Sequence, residues 1–96
     1  MGIFFPKLRT VATEAYFDEQ LSALGIEVQT WLEMFSGLEF VLARDPEVFP
    51  RIDRTHFHVA VVEPFRDLPE LCVLYTHNKD YVHLVDIYLQ PLEEEE

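Results

Sequence analysis

The spacing of apolar residues changes once along this chain, close to Pro50, and that change limits the folds open to it. Upstream, Trp31, Phe35, Leu38 and Leu42 recur every three or four residues, with Met34 and Val41 beside them. Such spacing lines one side of an α-helix and predicts a helix over 27–44. Glu27, Glu33 and Glu39 lie mostly off the stripe. Asp45-Pro46 ends it, because the residue before proline avoids the helical region. Earlier, Phe17, Leu21 and Leu24 predict a first helix over 14–24. Thr13 is its expected N-cap, Glu14 sits at its positive end, and Gly25 is its expected C-terminal stop. The short link through Gly25 predicts an antiparallel helical hairpin.

Downstream of Pro50 the pattern alternates. His56 to Val62 reads as a strand, with Phe57, Val59 and Val61 on one side and His56, His58, Ala60 and Val62 on the other. Leu71 to Thr76 reads as a second strand and Tyr81 to Leu89 as a third, joined by a hairpin loop at His77-Asn78-Lys79-Asp80. Leu8 to Ala12 alternates weakly and is read as a first strand. The order β-α-α-β-β-β predicts an α+β fold: a two-helix hairpin packed on an antiparallel β-sheet meander.

Ninety-six residues, 49% of them hydrophobic, predict a single ordered domain. Within it, 1–9 reads as an N-terminal extension, 10–91 as the core and 92–96 as an acidic, disordered tail. The chain has 18 Asp+Glu against 7 Lys+Arg, a net charge of −11. Removing Glu93–Glu96 still leaves the body acidic. Affinity for nucleic acid rests largely on Lys and Arg neutralising phosphates, so direct binding of DNA or RNA is not expected. Cys72 is the only cysteine, which excludes an intrachain disulfide and fits a reducing cytoplasm. Ile3-Phe4-Phe5 is broken by Pro6, too short for a signal segment. No apolar run approaches ~18 residues, so no membrane helix is expected.

Four stretches resemble the RelE/ParE superfamily of type II toxin–antitoxin toxins. Thr13-Glu14-Ala15-Tyr16-Phe17-Asp18-Glu19-Gln20-Leu21-Ser22-Ala23-Leu24 is similar to that family's first helix, "T-x-E-A-x-x-x-x-L-x-x-L". Leu42-Ala43-Arg44-Asp45-Pro46 resembles the "L-A-x-x-P" that closes its second helix. Leu71-Cys72-Val73-Leu74-Tyr75 resembles its "Y-R-[VI]-x-Y" strand, and Val82 to Ile87 its last strand. The resemblance covers about residues 10–90. It implies the β-α-α-β-β-β fold, a plasmid-stabilisation type of role, an antitoxin partner, and either ribosome-dependent mRNA cleavage or poisoning of a gyrase-type target. The chain departs from the family where the cations belong. His58, Ala60, Cys72 and Gln90 stand at those positions, and the transition state of phosphodiester cleavage needs cations.

Each candidate residue also has an ordinary reading. His56, His58, His77 and His83 invite a metal, but no motif fixes three convergent ligands. Packing histidines are the ordinary reading, and neither metal nor cofactor is expected. Arg51 and Arg54 straddle Asp53, and Arg66 adjoins Asp67, which reads as surface ion pairs. The functional reading is a small cationic patch for a phosphate or an antitoxin carboxylate. Lys79 and Tyr81 belong to a hairpin tip. Cys72 reads as an inert core thiol.

The sequence therefore points first to a binding protein without nuclease activity, its partner surface drawn from Phe17, Arg51, Arg54, Phe65 and Arg66. A divergent ribonuclease using His58, Arg66, Lys79 and Tyr81 is the enzyme reading, and it requires those residues to share one cleft. The acidic balance also suits an inhibitor or adaptor docking on a basic partner, and the surplus Phe residues suit the seam of a homodimer.

Overall fold

The computed structural model describes residues 8–64 and 68–89. Its elements are β1 (Thr10–Thr13), α1 (Ala15–Ala23), α2 (Val28–Arg44), β2 (His58–Val62), β3 (Leu71–His77) and β4 (Tyr81–Leu89). The fold is α+β. The expected meander is present: β2 pairs antiparallel with β3, and β3 with β4. The sheet as a whole is mixed, however. β1 joins it beside β4 and runs parallel to that strand, giving the order β1-β4-β3-β2.

Both helices lie on one face of this sheet. Phe17 and Leu21 of α1, with Trp31, Phe35 and Leu42 of α2, share a core with Ala60, Val73, Tyr75, Leu84 and Ile87. Three rings form its centre. Phe17 sits 5.4 Å from Trp31, which stacks on Phe35 at 4.5 Å. The stripe along α2 is mostly buried as its spacing predicts. Val41 departs from it and stands 39% exposed.

The register between β3 and β4 shifts at Leu74/Tyr75: Leu74 opposes Asp86, while Tyr75 opposes Leu84. Val85 is thus the extra residue of a bulge. The bulge explains why Val82, Leu84 and Ile87 all reach the core although their spacing breaks strict alternation.

The start of α1 corrects one expectation. Thr13 is the last residue of β1, opposite Leu84, and the N-cap is Glu14, without a side-chain cap bond. Pairing with β4 holds Thr13 in the strand, and the Glu14 N–H donates to the Leu84 carbonyl at 2.9 Å. The helix ends as expected. Gly25 adopts φ +75°, and the N–H groups of Gly25 and Ile26 donate to the carbonyls of Ser22 and Leu21. That double closure needs a left-handed residue, which glycine supplies without steric cost.

β2 begins at His58 rather than His56. Residues 51–57 form a turn first, closed by Ile52 N–H to the Phe57 carbonyl at 2.8 Å, with Arg54 at φ +63°. The N-terminal extension up to Lys7, Phe65, Arg66, Gln90 and the Glu93–Glu96 tail lie outside the described residues.

Candidate functional site

Two places concentrate chemistry, and the segment between α2 and β2 builds both. This segment leaves α2 in a tight turn: Val48 N–H donates to the Asp45 carbonyl, and Glu47 N–H donates to Asp45 Oδ1. Tyr75 on β3 then clamps it, its hydroxyl donating to the buried Pro46 carbonyl at 2.6 Å. Burial pushes the Tyr75 phenol up to about 12, so it remains a donor at all ordinary pH.

Beside that clamp, two histidines and a carboxylate meet. His58 is 4% exposed and stacks on Tyr75, ring centroids 5.2 Å apart. Its Nδ1 lies 2.8 Å from the Phe49 carbonyl. A carbonyl only accepts, so Nδ1 carries the proton and the neutral ring keeps its lone pair on Nε2. His77 follows on β3, its ring centroid 5.2 Å from that of His58. Its Nε2 is 3.3 Å from Glu47 Oε2, while its Nδ1 is buried with no hydrogen-bond partner among the described residues. Burial lowers the His77 pKa below the usual histidine range. Glu47 opposes that shift, and His58 and Arg9 add to it. Glu47, His58 and His77 each present one ligand atom, all within 4.8 Å of one another.

The second place is a groove of about 470 Å³ between α2 and β2. Met34, Gly37, Leu38 and Val41 form its helical wall; Phe49, Val61 and Val62 face them. A Cβ added at Gly37 would meet nothing within 4 Å, so the groove is open there. β2 is the edge strand of the sheet. Val59 N–H turns outward to the Pro50 carbonyl at 3.1 Å. Strand alternation then puts the N–H and C=O of Val61 on the same outer edge, at the mouth of the groove.

The residues singled out from the sequence do not share one site. Phe17 is corrected outright: it is 0% exposed at the centre of the core and offers no surface to a partner. Its helical spacing with Leu21 already implied this. Arg51 and Arg54 are exposed on the 51–57 turn, and among the described residues neither makes the expected ion pair with Asp53. His58 faces the helices, on the same sheet face as Tyr75 and Leu84. Tyr81 lies on the other face, stacked on His83. Lys79 is exposed in the hairpin that Asn78 closes by accepting the N–H groups of Asp80 and Tyr81. The cleft required of a His58–Lys79–Tyr81 nuclease is therefore not formed by His58 and Tyr81.

The histidines also group differently from expectation. His56 precedes the strand and is exposed, and His83 lies 3.8 Å from Glu14 on the far face. The pair that meets is His58 and His77, and Glu47 joins it without any motif to announce it. Strand register could have suggested the histidine pair, since both belong to the core-facing set of β2 and β3. No known family model matches the chain, and no curated protein matches it in sequence.

Proposed function

We propose that this chain is a binding protein of the RelE/ParE-like toxin type, without nuclease activity, that holds an antitoxin-like protein partner in the groove between α2 and β2. The observation that carries the reading is the groove itself: an apolar trough beside a sheet edge whose outer backbone groups include those of Val61. An extended peptide can add to such an edge through main-chain hydrogen bonds while its side chains fill the trough. The charge of −11 selects a basic segment as the occupant and disfavours nucleic acid. Arg51 and Arg54, on the turn that runs into β2, would meet the partner's carboxylates at the rim. The partner surface thus moves from Phe17 to Leu38, Val41 and Val61.

The test is affinity purification from the native host with wild type and with Gly37→Lys. Lysine at position 37 projects into open space and improves on glycine's helix propensity, so the fold is retained. It fills the trough and repels a basic segment. The expected result is a small basic protein bound to wild type and lost from the variant, with amide-exchange protection of residues 59–62 in the complex. A partner retained by Gly37→Lys, a second copy of this chain as the sole mate, or specific RNA cleavage by the pure protein would each overturn the reading.

A further inference from the structure

We propose that Glu47, His58 and His77 form a binding site for one divalent cation of the zinc class, joining the segment after α2 to strands β2 and β3. The site is separate from partner binding and rests on different residues. Its three ligand atoms lie within 4.8 Å of one another. Tetrahedral coordination with bonds of about 2.0–2.1 Å spaces neighbouring ligands by about 3.3 Å. The His77 Nε2–Glu47 Oε2 edge already measures 3.3 Å. A charge-assisted hydrogen bond between the same groups would close to about 2.7–2.9 Å. At 3.3 Å the pair makes a long hydrogen bond whose separation matches that of two co-ligands, so an ion could replace the bond with little movement. Glu47 carries a largely exposed side chain that can swing to close the remaining edges.

Two further features belong to a ligand set. His58 donates its Nδ1 proton to the Phe49 carbonyl, which fixes the ring and leaves Nε2 as the donor atom. A backbone carbonyl behind an imidazole is the usual support of a metal-bound histidine. His77 turns its Nε2 toward Glu47 Oε2, so this nitrogen is the one offered to the ion. Two imidazoles and one carboxylate suit zinc, cobalt or nickel. Calcium and magnesium prefer all-oxygen shells, and cuprous copper prefers thiolates. Cys72 points to the opposite sheet face and does not join. The exposed Glu47 side leaves a fourth position for water.

The experiment uses the full chain without an affinity tag, stripped with chelator and titrated with zinc and then with cobalt. Saturable binding of one equivalent, a rise in Tm with zinc, and the intense visible bands of four-coordinate cobalt are expected. Glu47→Gln and His77→Gln should each weaken binding about 100-fold. His83→Gln, beside Glu14 on the far face, should leave it unchanged. Glu47→Gln alters an exposed side chain, so it reports on the site even if His77→Gln impairs folding. Absence of saturable one-equivalent binding would overturn the proposal, as would affinity that survives Glu47→Gln or falls with His83→Gln.

Discussion

Cys72 shows how neighbours set the chemistry of a single side chain. It is 3% exposed, on the sheet face away from the helices, directly across from Tyr88. Burial pushes its thiol up from 9.0. The Tyr88 hydroxyl donates to the sulfur and opposes that shift, while Glu70 adds to it. Only the thiolate attacks a disulfide reagent, so native Cys72 should be silent to such a reagent at pH 8 and react fully after unfolding in denaturant. Rapid native labelling would place the thiol at the surface. The sign for stability follows. Above pH 9 the unfolded thiol ionises while the folded one holds its proton, so this group lowers stability as pH rises. Its burial was legible in the sequence, because a lone cysteine between apolar strand neighbours is buried by default. The meeting of Glu47 with His77 was not legible. It depends on how a non-repetitive segment folds back, and no spacing encodes that.

Among the elements, α2 contributes Trp31, Phe35 and Leu42 to the core. Trp31 contacts a ring on either side, so Trp31→Ala removes one partner from both and leaves a cavity between the helices. The expected cost is about 3–5 kcal/mol by denaturant titration. A loss below about 1 kcal/mol would mean the ring is not core. This helix was fully legible, since four apolar residues at helical spacing outvote any strand reading. β4 was legible as a strand but not in its facing. Val82, Leu84, Val85 and Ile87 cannot all alternate, and only the bulge opposite Leu74/Tyr75 reconciles them. β1 was the least legible element. Four residues carry too little pattern to specify a neighbour, and its parallel place beside β4 follows from where Arg9 and Glu14 are tied, to Ala43 and Leu84.

At the scale of the molecule, charge and topology act together. The acidic balance and the separation of His58 from Tyr81 across the sheet predict no specific cleavage of mRNA, with or without ribosomes. Gel analysis of a defined transcript checks this; cleavage lost in Tyr81→Phe would restore the enzyme reading. The α+β class was legible from the change of period at Pro50, whereas the mixed sheet was not, because pairing between the first and last strands is invisible to local pattern. That pairing has a consequence for how the protein is made. Thr10 meets Tyr81 and Thr13 meets Leu84, so β1 has no neighbour until β4 exists. During synthesis the helices emerge long before the surface they cover, and Phe17, Leu21 and Trp31 wait in water. Contacts this distant in sequence are slow to form, and exposed apolar helices invite capture in the interval. The nascent chain therefore passes through a window, open until β4 has left the ribosome, in which these apolar residues are exposed to other molecules.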